Sequence, residues 1–253
     1  MLFENYVWSC KKMVWTFESI VGSPIVITVP HDRGFHPHDL LGLFKERGKG
    51  VKGRDIHIWP IVKDILLEVR VNAVRGLFPR HFIDYNRSLE GINYYPVSNG
   101  EPQTALDDER LKPFYNHYHQ QIANFLERTI RLYREKGCVL LDFHGFSKQP
   151  AYGDYDLIFG TGNRITVKSD VDKALANFLL TRGYRVFLPA QETLGQLEDM
   201  YSADYTVRHY AEKFDIDAIQ IEVAKSFRVL EGKKIGRKLS ADVAEFLRLY
   251  FDL

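Results

Sequence analysis

The chain has two cysteines in 253 residues, Cys10 and Cys138, too few for a disulfide framework. Cys138 opens an apolar run and reads as a small buried hydrophobe. Charge of one sign is also lacking: 34 basic residues face 33 acidic ones, a formal net charge of +1. That balance lacks the basic footprint of a nucleic-acid-binding protein, and Gly232 to Lys238 reads as a short solvated loop. No apolar run approaches the 18 or so residues a membrane-spanning helix needs. The N-terminus carries an acid, Glu4, and no apolar core, which is not the pattern of a signal peptide; a cytoplasmic protein is expected. Short-spaced zinc motifs such as His-Glu-x-x-His are absent, as are internal repeats, low-complexity tracts and linker-like composition shifts.

What is present suits a globular protein with a sizeable core: 45% of residues are hydrophobic and 26% charged. Pro24 to Val29 and Val139 to Phe143 read as fully buried strands. Weaker strands are expected at His81 to Asp84, Leu157 to Phe159, Arg185 to Leu188 and Ala218 to Glu222. Between them, Ile61, Ile65, Leu66 and Val69 mark a helix that Pro60 can open. Residues 107–136 carry a long amphipathic helix ended by Gly137. Ser169 or Asp170 caps a helix through Leu180, closed by Gly183, and Ser240 caps a last one. Such alternation predicts an α/β fold, a mostly parallel sheet covered on both faces, as a single domain over residues 1–253. Two irregular stretches, Gly91 to Pro102 and Ser147 to Tyr155, are long enough for functional lids.

The chemistry-bearing residues sit where expected strands end, which is where ligands collect in open α/β sheets. His31 follows the first buried strand; a strand end can hold a neutral imidazole rigidly for a metal, though a histidine in a polar loop, taken alone, is more often a surface or supporting group. His36 and His38 fit the opening of a helix better. His144 ends the most apolar strand, and Gly145 lets the backbone approach a ligand closely. Asp142, two residues back, shares the strand face with His144 and can orient the imidazole; a buried His-Asp pair without metal is the alternative. Asp84-Tyr-Asn86-Arg87 offers a planar guanidinium beside an amide, suited to a carboxylate, in what is also an ordinary turn sequence. Glu222, flanked by Ile219, Ile221, Val223 and Ala224, calls for a metal, an arginine or a catalytic task if buried. Burial raises a carboxyl pKa towards that of a useful general base. Asp55 precedes the Pro60 helix and fits either a metal ligand or an N-cap.

These blocks together resemble the N-formylglutamate amidohydrolase family of zinc-carboxypeptidase-like hydrolases. The resemblance runs through Phe17-Glu-Ser-Ile20, Ser23 to His31 with Pro37, Arg80 to Arg87, Asp142-Phe-His-Gly145, Gly160-Thr-Gly162, Tyr205 to Tyr210 and Ile219 to Val223, in family order. It implies a three-layer α/β/α fold with a mixed, mostly parallel central sheet. It further implies one divalent metal, normally zinc, on His31, Asp55 and His144. Glu222 would be general base and acid, and Arg80 would stabilise the oxyanion. Asn86 and Arg87 would hold a substrate carboxylate, with Arg208 neutralising a second one. The implied reaction is hydrolysis of an N-acyl amino acid, N-formyl-L-glutamate foremost. Other small N-acyl acids, a short peptide, or carboxylate binding without turnover stand as alternatives; neither nucleic acid nor membrane is an expected partner. Two departures stand out: the family follows its first histidine with Ser-Gly where this chain has Asp32-Arg33, and carries a second Asp where this chain has Trp59.

Overall fold

The computed structural model describes residues 6–32, 55–91, 104–106, 108–133, 137–147, 154–188, 202–228 and 233–253. His36, His38, Pro37, Arg33, most of 91–102 and the middle of 147–155 lie outside them.

Among the described residues, eight strands form one sheet: β1 (Tyr6–Lys11), β2 (Val14–Ser19), β3 (Ile25–Val29), β4 (Asn72–Gly76), β5 (Val139–Phe146), β6 (Leu157–Gly160), β7 (Val186–Phe187) and β8 (Asp217–Ala224). Their order is β1-β2-β4-β3-β5-β8-β6-β7. The centre, β4-β3-β5-β8, is parallel; β1, β2 and β6 pair antiparallel with their inward neighbours. The helices are α1 (Ile58–Glu68), α2 (Lys112–Tyr133), α3 (Val171–Thr181), α4 (Tyr205–Phe214), a single turn α5 (Lys225–Arg228) and α6 (Lys233–Phe251).

Side-chain alternation splits the core in two. Ile25, Ile27 and Val29 of β3, Leu141 and Phe143 of β5, and Ile219, Ile221 and Val223 of β8 face α1, α3 and α6. Val26, Leu140 and Ala218 face α2 and α4. This is the expected three-layer α/β/α arrangement. A fully buried side chain of this kind contributes about 1.5–3 kcal/mol, so both layers hold the sheet firmly. The second face is where polarity enters. Asp142 and His144 continue the parity of Leu140, and Gln220 and Glu222 that of Ala218. At the C-terminal ends of β5 and β8, the α2/α4 face therefore turns from apolar to ionisable over two residues.

Three elements differ from expectation. Residues 81–84 form turns and irregular chain; the strand beside β3 is β4 at 72–76. The last helix begins at Lys233, so residues 233–238 are helical where a solvated loop was expected, and Ser240 lies inside it, donating its hydroxyl to the carbonyl of Gly236 at 2.9 Å. The N-cap of α1 is His57, with φ 68°, so Asp55 is not a cap.

Candidate metal and active site

The parallel neighbours β3, β5 and β8 bring His31, His144 and Glu222 to one end of the sheet. His144 and Glu222 are in register on adjacent strands. Asp55 joins them because its N–H donates to the carbonyl of His31 at 3.1 Å. His31, Asp55 and His144 are all buried, and one potential ligand atom from each lies within 4.8 Å of the others.

Both imidazoles present the same nitrogen to Asp55. His144 Nδ1 lies 3.1 Å from Asp55 Oδ2, and His31 Nδ1 lies 3.5 Å from it. Behind them, His31 Nε2 contacts Asp84 Oδ1 at 2.8 Å and His144 Nε2 contacts Asp142 Oδ2 at 2.9 Å. A carboxylate on the far nitrogen fixes ring orientation and raises basicity, as behind metal-binding histidines generally. Asp142 is itself held by the Thr28 hydroxyl at 2.6 Å.

The set fits a divalent cation. His31 Nδ1 is fully buried and has no hydrogen-bond partner among the described residues, and buried polar atoms are rarely left unmatched. The electrostatics agree. Burial alone would raise the Asp55 pKa, but His144 and His31 outweigh it and hold the carboxyl well below its usual range. Burial alone would depress His144, yet the charge and hydrogen bond of Asp142, with Asp55, push it well above the usual imidazole value. The acids stabilise positive charge at this point, and a metal ion can supply that charge in place of protons.

Glu222 lies buried beside this group, accepting from Gln220 Nε2 at 3.1 Å. Burial pushes its carboxyl up to about 7, against the opposing charge of His144.

The loop of residues 79–88 closes the α2 side. Asp84 Oδ1 also accepts the Asn86 N–H at 3.0 Å, and Oδ2 accepts from Arg80 Nε at 2.8 Å. The Asn86 amide nitrogen lies 3.2 Å from His144 Nε2 and donates to Gln220 Oε1 at 3.3 Å, while its oxygen accepts the Thr206 N–H at 2.9 Å. Arg87 is buried and paired with Asp204. Arg208, on the first turn of α4, donates to the Ala203 carbonyl and to the Ser202 hydroxyl. Helix α2 secures the loop from below: Tyr115 donates to the carbonyl of Arg87 at 2.8 Å, and His119 Nε2 lies 3.0 Å from that of Tyr85.

Asp32 and Trp59, one residue from each departure from the family pattern, belong to one unit. Trp59 donates its backbone N–H to Asp32 Oδ1 at 3.0 Å, and Arg75 Nη2 donates to Asp32 Oδ2 at 2.5 Å. The Arg75 guanidinium lies 5.0 Å and 4.6 Å from the ring centroids of Trp15 and Trp59, within cation–π range. The charge that Asp32 brings beside His31 is thus matched by a buried arginine.

Sequence reasoning missed Arg75, Asp204, Gln220's link to Asn86, and Arg228. Only Asp204 had a local signal, an acid immediately before a helix, where it caps by accepting the Tyr205 N–H at 2.9 Å.

With this geometry in view, the N-formylglutamate amidohydrolase family model matches residues 23–228. The chain belongs to the N-formylglutamate amidohydrolase family. Two solved structures with TM-scores above 0.6 agree on the fold. An N-formylglutamate amidohydrolase from Ralstonia eutropha JMP134 superposes with a TM-score of 0.61 at 19% identity, over 90% of this chain and 95% of that one. A gene product of Agrobacterium tumefaciens gives a TM-score of 0.66 at 16% identity, over 96% of each chain. A metallo-carboxypeptidase from Pseudomonas aeruginosa matches at a TM-score of 0.43 and 10% identity, over 99% of this chain and 65% of that one. No curated protein matches the sequence. As in the sequence reading, no helix among the described residues is long and apolar enough to cross a membrane.

Proposed function

We propose that this family member is a metal-dependent amidohydrolase acting on an N-acyl amino acid, with N-formyl-L-glutamate as the first substrate to test. The observation that carries the reading is the convergence of two carboxylate-backed imidazole Nδ1 atoms on Asp55 beside a buried Glu222.

His31, Asp55 and His144 would hold one divalent ion, zinc being the metal best suited to two nitrogens and one carboxylate oxygen. When bound, such an ion supplies Lewis acidity, polarising an acyl oxygen and making water easier to deprotonate. Glu222 takes the proton of the attacking water and delivers it to the leaving amine, a task for which a carboxyl near 7 is poised. Arg80, anchored by Asp84 through Nε, faces the negative charge that develops on the acyl oxygen. Asn86 and Arg87 form the wall that receives the substrate carboxylate, with Asp204 orienting the Arg87 guanidinium. Arg208 offers charge for a longer acidic side chain. For N-formylglutamate the products are formate and glutamate.

The deciding experiment is turnover of N-formylglutamate by zinc-loaded protein, followed by formate release, with Glu222→Gln alongside. The variant keeps shape and loses the proton acceptor. Its kcat should fall about 10²-fold or more, the usual size of general acid–base effects, with metal content unchanged. Retained metal without turnover of N-formylglutamate, other N-acyl acids or short peptides would leave a binding protein in place of the enzyme. Turnover by Glu222→Gln near the parent rate would remove Glu222 from the mechanism.

A further inference from the structure

Gly145 directly follows His144, and a side chain there has no room. A Cβ built on it would stand 2.3 Å from Cζ of Arg228 and 2.6 Å from its Nε and Nη1. The close approach that this glycine permits is therefore made by a protein side chain, which revises the expectation of a ligand there.

Arg228 ends α5, the single turn that follows β8, and its side chain doubles back under the site. Nε donates to the carbonyl of Val223 at 2.9 Å, Nη1 to that of Ile56 at 2.7 Å, and Nη2 to that of Phe146 at 2.9 Å. Each acceptor belongs to a segment carrying a site residue. Ile56 follows Asp55, Val223 follows Glu222, and Phe146 lies two residues beyond His144. One planar guanidinium thus fixes the relative positions of three chain segments that come from distant parts of the sequence. The arginine is buried at 6% exposure. Burial works against its charge, while Asp55, Glu222 and Asp32 support it.

We infer that Arg228 is a positioning residue for the metal site, setting Asp55, His144 and Glu222 in mutual register through the carbonyls of residues 56, 146 and 223. The inference rests on the reading of His31, Asp55 and His144 as a metal centre. An arginine suits the task because its fork presents several N–H groups in one plane at fixed angles. A lysine carries the same charge but cannot span three carbonyls in this way. The role requires Gly145, because any side chain there displaces the guanidinium without removing it.

The test measures zinc affinity of the metal-free protein by competition with a chromogenic chelator, alongside the melting temperature in excess chelator. Arg228→Gln and Gly145→Ala should each weaken zinc binding by about 10- to 100-fold, the range for groups that orient metal ligands. Because both act through one contact, the double variant should be no weaker than the worse single variant within about twofold. Arg228→Lys should recover only part of the loss. Leu175→Ala, a core truncation in α3, whose main neighbours are α6 and β7, should lower the melting temperature while leaving zinc affinity within about twofold. If Arg228→Gln does not fold, Gly145→Ala decides alone. Zinc affinities near parental in Gly145→Ala, or single losses that multiply in the double variant, would overturn the inference. A parent protein that binds no divalent metal would overturn the metal-site reading instead.

Discussion

His144 Nδ1 and Asp55 Oδ2 approach to 3.1 Å across 89 positions of sequence, and His31 Nδ1 completes the triangle with no hydrogen-bond partner among the described residues. Two imidazole nitrogens and one carboxylate oxygen are a donor set that can hold a divalent metal. Protein purified without chelator should carry about one divalent ion per chain. His31→Ala and His144→Ala should each lose most of it, read by elemental analysis. Full occupancy in both variants would rule the centre out.

Asp142 provides a more selective probe, because it touches His144 only on the nitrogen away from Asp55. Asp142→Asn preserves volume and can still hydrogen-bond, but it removes the charge that raises the basicity of His144. Zinc affinity should fall about 10- to 100-fold, while His144 itself remains in place. Unchanged affinity would mean that this aspartate serves the buried Thr28 network alone.

Helix α2, beneath the loop, carries a separate pH dependence. His119 is buried against Tyr85 and Tyr210, with His209 and Lys213 as nearby cationic groups, and burial lowers its pKa from 6.5 to about 3. The folded state therefore binds fewer protons than the unfolded state between those values. The contribution of His119 is fully present above pH 6.5 and is lost as pH falls towards 3. Its slope is about 1.4 kcal/mol per pH unit for one proton. His119→Gln should flatten that part of the stability–pH curve in urea titrations of chelator-treated protein. An identical slope in parent and variant would assign the acid sensitivity elsewhere.

How far the sequence could be read depended on where each residue's partners lie. β3 and β5 were legible because Ile25 to Val29 and Val139 to Phe143 are unbroken apolar runs, and a centrally buried strand needs little else. β4 was not, because Asn72 and Arg75 interrupt it. Their burial is stabilised by Ser19, Thr129 and Asp32, all remote in sequence. The β1–β2 hairpin hid for another reason: its turn residues Lys12 and Met13 both take positive φ without the Asn-Gly signal usual for such turns. In the site, His31, His144 and Glu222 announced themselves as polar residues at the ends of apolar strands. Asp55 stayed divided between ligand and cap until the positions of His31 and His144 were known. Arg228 had no signature at all, since its three acceptors are backbone carbonyls, and those look alike in every sequence.

In the proposed function, substrate choice turns on Arg87, whose guanidinium is buried against Asp204 and also donates to the Asn86 carbonyl at 3.2 Å. A substrate carboxylate reaching this wall would share a guanidinium already held in orientation, so binding there loses little conformational freedom. Lysine cannot reproduce the planar fork, and Arg87→Lys should behave as a severe change. Loss of one charge-assisted hydrogen bond costs about 1.5–3 kcal/mol, which corresponds to a fall in kcat/KM of about 10- to 150-fold. Substrate variants make the same cut from the other side. N-formylglutamate should be hydrolysed faster than its α-amide, in which the carboxylate is neutral, and the gap should shrink in Arg87→Lys. Comparison with N-formylleucine then probes Arg208, because an apolar isopropyl group replaces the end of the side chain that carries the second carboxylate. Equal kcat/KM for acid and α-amide would take the carboxylate wall out of the account. Equal values for the glutamate and leucine substrates would leave a metal-dependent amidohydrolase whose substrate is defined by its α-carboxylate alone.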